Sequence, residues 1–310
     1  MATWPTQDYN MTGTSTQNAA NTFIPIIWSD EVLATREANL VAGSFFKRVN
    51  HKGKAGDTIR MPFISDFHTH DKSLQTPVTI QVNAEGFKAI SLDKHKEVSF
   101  MLEDFLKVQS SYDLRSEYTK KAGYALAKTL DTDILALFDA GLGTGYKVIG
   151  SDGTTAYSSN NHASITDVGL RKCIQLLDDN NVPMNNRALI IPPSQKNALL
   201  GIDKFTLYQN IGRTSELQNG KFGTIYGIEV LVSTNCPTKD TGRVAILAHK
   251  DAVCAAIQQD VRTQAQYQQE YLATLVTLDM IYGVKALRLD ADDVSASNDR
   301  ISHAVGIYVP

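Results

Sequence analysis

The first candidate for chemistry is a glycine-rich segment in which Gly141, Gly143 and Gly145 occupy alternate positions. A dinucleotide-binding loop of this kind must follow a strand and open a helix, because the pyrophosphate is held at the helix N-terminus. Here the glycines follow a helical pattern and open a polar loop. We therefore predict a helix end and a hinge, and the sequence has no GxxxxGK[ST] motif.

Histidine, cysteine and serine residues provide two further candidates. In a strand, His68 and His70 would share one face, with Asp71 beside them, but zinc sites need three or four ligands and no third convergent ligand is evident. His162 follows two serines and precedes Cys173 without any nucleophile signature such as GxSxG. We predict no catalytic, cofactor-binding or metal-binding residue, no cofactor, and hence no enzyme.

Composition narrows the class of protein. The 310 residues are 43% hydrophobic and 20% charged, with a net charge of -3, so the chain can bury a sizeable core. This charge balance argues against a dedicated nucleic-acid binder. No transmembrane run or signal peptide is expected. Three widely spaced cysteines predict reduced, buried thiols: Cys173, Cys236 and Cys254.

The N-terminal third predicts an arm and a long β excursion. Residues 1–20 are polar and predict a flexible segment, and a short helix is expected from Ser29 to Gly43. Strands are predicted at 57–62, 78–82, 90–93 and 98–100, with a polar tip at 65–77 and a turn at 83–86. Basic and acidic residues alternate here and predict a mixed, salt-bridged surface: Arg60, Lys88, Lys94 and Lys96 with Asp57, Glu85, Asp93 and Glu97.

A long helix is the strongest local prediction. It should begin near Asp113, after capping residues at 110 and 111, and stop at Gly141, roughly 40 Å of helix. Apolar residues recur at every fourth position, and most charges, Asp131 among them, should lie outside the stripe. The predicted stripe comprises Leu114, Tyr118, Ala122, Leu126, Leu130 and Ile134, widened by Ala125, Leu137 and Phe138.

The C-terminal half predicts a compact α/β module followed by more β structure. Residues 143–161 should form a loop. Helices are expected at 168–177, 194–200 and 251–257, and strands at 188–191, 225–232 (hinged at Gly227) and 244–247. Residues 261–268, 272–278 and 281–289 should complete the sheet on which the long helix lies. An acidic tail then leads to a terminal edge strand at 305–309.

Four segments of the sequence together resemble a known family. Residues 23–33 with 56–62 resemble the opening of tailed-bacteriophage major capsid proteins. Residues 112–119 are similar to the spine-helix entry of short-tailed phage capsids, and 279–285 to the closing β segment. The resemblance covers about residues 23–290 of the chain.

The resemblance implies an α+β protein with the Hong Kong 97-type capsid fold. That fold has an N-terminal arm, an extended β E-loop, a P-domain with a long spine helix and a β-sheet, and an α/β A-domain. The implied ranges are 1–48 for the arm, 49–97 for the E-loop, 98–142 with 259–289 for the peripheral (P) domain, 143–258 for the axial (A) domain, and 290–310 for a C-terminal tail.

The function implied by the resemblance is that of a major capsid protein in the virion. Hexamers and pentamers would form an icosahedral shell around packaged double-stranded DNA. The chain would contact this DNA non-specifically, and no membrane is an expected partner. A separate scaffolding protein, a portal protein and, in some shells, a decoration protein are implied partners, with synthesis in the host cytoplasm. Some relatives cross-link a loop lysine to an asparagine, but Lys72 and the asparagines here give no match.

Two other classes of function stay open from the sequence. One is a cytosolic α/β enzyme with a pocket in residues 155–258, which would need a convergent polar cluster. The other is a further virion component such as a tail tube, which would be mostly β and would lack a seven-turn helix.

Overall fold

The structure, a computed structural model, describes residues 40–50, 56–64, 67, 69–82, 85–105, 114–202, 223–289 and 302–310. Four predicted features therefore lie outside the described residues. They are the arm at 1–20, nearly all of the helix expected from Ser29, the caps at 110–113 and the acidic tail.

Four helices and thirteen strands make up the described part of the chain. The helices are α1 (Ala42–Phe45), α2 (Leu114–Gly141), α3 (Asp167–Asp179) and α4 (Pro193–Leu200). The first strands are β1 (Lys47–Asn50), β2 (Thr58–Ile64), β3 (Glu85–Ser91), β4 (Lys94–Glu103), β5 (Lys147–Ile149), β6 (Arg187–Ile191) and β7 (Thr224–Ile225). The others are β8 (Ile228–Val232), β9 (Thr238–Lys239), β10 (Gly242–His249), β11 (Val253–Gln268), β12 (Ala273–Ala286) and β13 (Ala304–Val309).

The long helix α2 packs on a four-stranded sheet with the order β1-β11-β12-β4. Its 28 residues confirm the predicted spine helix and its end at Gly141. Ala122 and Leu126 pack on Val276 and Leu278 of β12, with Val98 against the same cluster. Because strand residues alternate between faces, this face of the sheet is closed by the helix. The other face is covered by Ile90 and Leu92 at Cys254 and Ala256 and is open along the rest of β11.

The predicted stripe of α2 is right over most of its length and wrong at three positions. Ala122, Leu126, Leu130, Ile134 and Phe138 are buried. Tyr118 and Ala125 are exposed instead, and Leu135 is fully buried. The helix contacts the sheet on one side and α1 on another, and this second contact turns the buried face around the axis.

One predicted helix is wrong. Residues 251–257 form a short 3₁₀ turn, Lys250–Ala252, followed by the start of β11. The residues of β11 from Val253 to Ile257 are all buried, because both faces of the strand are covered. Val253 and Ala255 lie in the cluster that contains Phe138 of α2, and Cys254 and Ala256 lie against Ile90 and Leu92. A fully buried strand has no alternation, so its apolar run cannot be told from a helix by period.

The seven-stranded sheet has the order β5-β13-β10-β6-β8-β7, with β9 paired to β10. The predictions of strands β6 and β10 and of the strand pair at Gly227, whose φ is 79°, are confirmed, as are those of helices α3 and α4. Two predictions about it are wrong. The 143–161 loop contains β5, and β13 is no edge strand, since it lies between β5 and β10 with every residue buried.

A two-stranded sheet projects from this body. β2 and β3 pair antiparallel from Thr58 with Ser91 to Ile64 with Glu85. The predicted two-stranded excursion is thus confirmed, but its second strand is β3 rather than 78–82, and Glu85 and Gly86 belong to that strand rather than to a turn.

Candidate functional site

The residues first considered for chemistry do not assemble into a reactive centre. His70 and Asp71 are exposed, while His68 lies outside the described residues. Nε2 of His162 lies 3.1 Å from the Lys239 carbonyl oxygen, and its ring packs against Tyr157. Across the described ranges, no three His, Cys, Asp or Glu side chains are grouped as a metal site would need.

All three cysteines are buried free thiols, as predicted. Burial raises the pKa of Cys173 and of Cys236 to about 12, and that of Cys254 to about 11. A thiol needs to ionise to act as a nucleophile or a metal ligand, so these side chains are packing groups at neutral pH.

The segment between β2 and β3 is the most exposed apolar surface described. Val78, Ile80 and Val82 are 69%, 84% and 92% exposed, and residues 78–82 pair with no described strand. The prediction of a strand at 78–82 is therefore wrong for the described part of the chain, where nothing pairs with these residues or lies against their apolar side. Three apolar side chains with strand spacing and no cover form a surface suited to a partner.

A tight turn closes the tip of this segment. The Lys72 ammonium donates to the carbonyl oxygens of Ser73 and Thr76, and the Thr76 hydroxyl donates to Ser73 O at 2.9 Å. Gln75 has a φ of 61°, in the left-handed region that tight turns use. Leu74 at the apex is 96% exposed, so the turn presents an apolar side chain at the end of a polar loop.

The base of the loop is anchored to the four-stranded sheet. Ile90 and Leu92 are buried against Cys254 and Ala256 of β11. A Cβ at Gly283 would lie 2.0 Å from Ser91 O, so only glycine permits this close approach of β12 to the loop. The tip therefore projects from a packed base.

The basic residues near the loop contact the body and an aromatic ring. The Lys88 ammonium donates to Leu287 O, and the Arg60 guanidinium lies 4.6 Å from the centre of the Phe87 ring. Lys94 forms an ion pair with Asp133 of α2 at 2.8 Å. Among the described side chains, these three basic residues contact the body and an aromatic ring rather than the acidic residues that alternate with them in the sequence.

A second exposed apolar group surrounds the turn between β11 and β12. Leu272 has a φ of 47°, unusual for a bulky residue, and is exposed together with Tyr271 and Phe105. The Tyr267 hydroxyl donates to Asp104 Oδ2 at 2.8 Å, which ties this turn to the end of β4. The four-stranded sheet thus ends in a fixed apolar tip.

A buried carboxylate joins three parts of the chain, and no sequence pattern indicated it. Asp131 of α2 is 1% exposed and accepts hydrogen bonds from the backbone N–H groups of Ala42 (2.7 Å) and Gly43 (3.2 Å). The Asn235 side-chain amide also donates to it at 3.0 Å. Its predicted place outside the apolar stripe is wrong, because these donors compensate the cost of burying the charge.

The C-terminal end of α2 is fastened to the seven-stranded sheet by another carboxylate. The Tyr308 hydroxyl donates to Asp139 Oδ1 at 2.8 Å, and Lys239 lies 3.3 Å from Oδ2. Burial and this carboxylate raise the pKa of Tyr308. The helix therefore connects both sheets rigidly, and the exposed loop and tip project from one frame.

On the open face of the four-stranded sheet, a third carboxylate binds neighbouring strands together. Asp279 accepts two hydrogen bonds from Arg262, at 3.0 and 2.8 Å, and one from Gln259 at 2.7 Å. The bonds from Arg262 are the main reason why the pKa of Asp279 lies below its usual value. The arrangement strengthens β11 where its register with β12 shifts.

Comparison with known proteins gives one family and one fold. A family model described as phage capsid protein matches residues 89–304, more than half of the chain. No curated protein matches. A structure from Mycobacterium phage Che8 is 19% identical, covers 93% of this chain and 98% of its own, and has a TM-score of 0.73. The capsid structure of the cyanophage P-SCSP1u is 18% identical, with 95% of each chain covered and a TM-score of 0.75.

A third similar structure is the mature capsid of bacteriophage PhiM1, 11% identical over 92% of each chain, with a TM-score of 0.69. At these identities the structural likeness shows a shared fold, and it confirms the predicted Hong Kong 97-type α+β architecture. The enzyme and tail-tube alternatives are not favoured. Within the described residues, no helix has the length and apolar character needed to cross a bilayer. The chain therefore belongs to the phage capsid protein family and is a major capsid protein, a structural component of the virion.

Proposed function

We propose that hexamers and pentamers of this chain form an icosahedral head shell around packaged double-stranded DNA, held together by the segment between β2 and β3. The observation that carries the proposal is the exposed alternation of Val78, Ile80 and Val82. An isolated two-stranded arm is marginal in water, and burying each of these side chains contributes about 1.5–3 kcal/mol. A neighbouring subunit would supply the cover that the described residues of the chain do not.

The proposed role of each part of the chain follows the domain ranges implied by the resemblance. The arm (1–48) and the E-loop (49–97) lie across neighbours. The P-domain (98–142 and 259–289) and the A-domain (143–258) form the body, followed by the tail (290–310). The ranges of α2, β4 and β12 support the P-domain assignment. The chain is made in the host cytoplasm and assembles with a scaffolding protein, a portal protein and, in some shells, a decoration protein.

Deleting the loop tip tests the proposal. Removing residues 67–76 and joining the ends with Gly-Ser should leave the circular dichroism spectrum nearly unchanged, because the tip contributes little to the core. Sedimentation velocity, with scaffolding protein supplied to the variant and to the parent, should show loss or strong weakening of shell formation. Normal shells from the deletion variant would refute the role given to this loop.

A finer variant separates the apolar side from the loop as a whole. Changing Val78, Ile80 and Val82 to threonine keeps strand propensity and length while removing the exposed apolar groups. The matched control is Thr79→Ser in the same exposed segment. The triple variant should assemble at least tenfold more slowly than the control, by light scattering. Equal rates would show that another surface joins the subunits.

A further inference from the structure

Two buried histidines face each other where the chain crosses between its two larger sheets. His249 ends β10 of the seven-stranded sheet, and His303 directly precedes β13 of the same sheet. They are 5% and 7% exposed, and their ring centres lie 5.8 Å apart with the ring planes at 79°. β11 of the four-stranded sheet begins shortly after His249, at Val253. The pair therefore lies at the junction of the two sheets.

Backbone hydrogen bonds fasten the chain that leaves β12 to both of its neighbours at this point. The N–H groups of Leu287 and Arg288 donate to Ala252 O at 2.9 and 3.1 Å. The His303 N–H donates to Arg288 O at 2.9 Å, and the His249 N–H donates to His303 O at 2.9 Å. These four bonds, the sheet junction, connect the end of β12 to the turn between β10 and β11 and to the start of β13.

Each histidine ring accepts a hydrogen bond that exists only while the ring is neutral. The Asp251 N–H donates to Nδ1 of His249 at 3.2 Å, so this nitrogen carries no proton. Nε2 of His303 lies 3.4 Å from Nη1 of Arg288, and a guanidinium can only donate. The proton of neutral His303 is then on Nδ1, which is buried and has no acceptor among the described atoms. Protonation would place a donor against a donor at both rings.

The surrounding charges also oppose protonation of the pair. The strongest described charges that act on both rings are two cations and one carboxylate: Arg187, Arg288 and Asp251. The carboxylate lies 3.8 Å from Nδ1 of His249, is 49% exposed and also lies 4.0 Å from the Lys47 ammonium, so its attraction is weakened. Burial lowers the pKa of His249, and burial with the charge of Arg288 lowers the pKa of His303 to about 4.

We propose that His249 and His303 form an acid-sensitive latch, which holds the sheet junction while both rings are neutral and opens it when they take up protons in mildly acidic solution. Protonation turns each accepting nitrogen into a donor, so the bonds from Asp251 and Arg288 are lost. A buried charge without a partner is costly, and opening the junction allows water to solvate both rings.

The histidine latch controls one end of β13, while α2 holds the other end. Tyr308, about 17 Å along the strand from His303, donates to Asp139 of α2 at 2.8 Å. The buried start of β11, on which Ile90 and Leu92 of the loop base rest, directly follows the latch. Opening therefore allows the loop base to tilt against the seven-stranded sheet, with the C-terminal end of α2 as the pivot.

Hydrogen exchange of the unassembled full chain, measured by mass spectrometry, tests the latch at the junction bonds themselves. The reporters are peptides that contain the N–H groups of His249, Leu287, Arg288 and His303, with exchange times scaled to the intrinsic rates at pH 7.5 and pH 5. In the open junction His303 has an ordinary pKa of about 6.5, whereas the closed junction resists the proton down to about pH 4. Protection of these peptides should therefore fall about thirtyfold at pH 5. Peptides from β6, β8 and the middle of α2 should keep their protection within about threefold.

Substitutions identify the groups responsible for the response to acid. His249→Gln with His303→Gln keeps accepting oxygens that cannot be protonated, so protection should change less than about threefold between the two pH values. Arg288→Gln, at an exposed position, removes the opposing cation and should reduce the response several-fold. The matched control is His95→Gln. Because His95 is 61% exposed and lies 3.3 Å from the Asp279 carboxylate, its protonation breaks no bond, and this variant should keep the full response.

Three results would overturn the latch. The first is equal protection of the junction peptides at pH 7.5 and pH 5. The second is a uniform loss over α2 and both sheets, which would be acid unfolding of the whole subunit. The third is a full response in the double variant or, if that variant does not fold, an unchanged response in Arg288→Gln. Because the assay needs no shell, failure of the latch and failure of the proposed function are separate outcomes.

Discussion

Replacing Asp131 with alanine tests how helix α1 is attached to helix α2. The carboxylate is the acceptor for two buried backbone N–H groups, Ala42 and Gly43, and for the Asn235 amide. These three donors belong to α1 and to the loop between β8 and β9, so one side chain on α2 joins both. Alanine would remove the acceptor without offering another.

The expected cost follows from the donors that would be left without a partner. Each buried unsatisfied N–H group costs about 1–3 kcal/mol, and removing the charge recovers part of its desolvation. We expect Asp131→Ala to lower the free energy of unfolding by about 4 kcal/mol. Asp131→Asn keeps one acceptor oxygen and should cost about half as much. The neighbouring Thr132→Ala, on the exposed side of α2, should cost less than about 0.5 kcal/mol.

Urea unfolding of the unassembled subunit, followed by circular dichroism, measures these differences. With a slope of about 3 kcal/mol per M, Asp131→Ala should move the midpoint down by about 1.3 M. Thr132→Ala should leave it within about 0.2 M. A midpoint for Asp131→Ala that coincides with that of Thr132→Ala would show that the carboxylate is not the acceptor on which this junction depends.

Two further predictions concern the core. Burial and the charge of Arg288 lower the pKa of His303 to about 4, so the unfolded chain binds a proton that the folded chain resists. The free energy of unfolding should therefore fall by about 2 kcal/mol between pH 6.5 and 4 in urea titrations, and His303→Gln should lose that part of the pH dependence. Leu126→Asp buries an unpaired charge, costs several kcal/mol and should abolish soluble expression, whereas Ala125→Asp on the exposed side should express normally. A soluble, assembling Leu126→Asp subunit would mean that the stripe is not buried.

The sequence predicted elements whose pattern is set by local residues. The stripe of α2 from Ala122 to Phe138 follows from a period that a single face of sheet satisfies. The apolar runs within β6 (188–191) and β10 (244–247) were also predictable, because they are short and bounded by turn residues. In both cases the pattern needs no knowledge of which element lies opposite.

Errors arose where the tertiary neighbour decides the structure. β11 begins with an apolar run that became a strand only because β1 and β12 flank it. β13 lies between two strands more than 50 residues away in sequence. Its position near the C-terminus does not indicate whether a strand lies at the edge or in the middle of a sheet. The prediction that Asp131 lies outside the stripe is wrong for the same reason. The three donors that allow its burial lie 88 to 104 positions away in the sequence, so the local pattern does not reveal them.

The strand prediction at 78–82 is wrong for a different and more informative reason. Its alternation is real, yet Val78, Ile80 and Val82 are 69%, 84% and 92% exposed. An apolar alternation is stable in water only when one side is covered, and a subunit that carries it exposed gains free energy when a partner covers it. A strand pattern that a chain does not bury within itself therefore indicates a surface for a neighbour. In this chain that surface coincides with the loop on which the proposed shell depends.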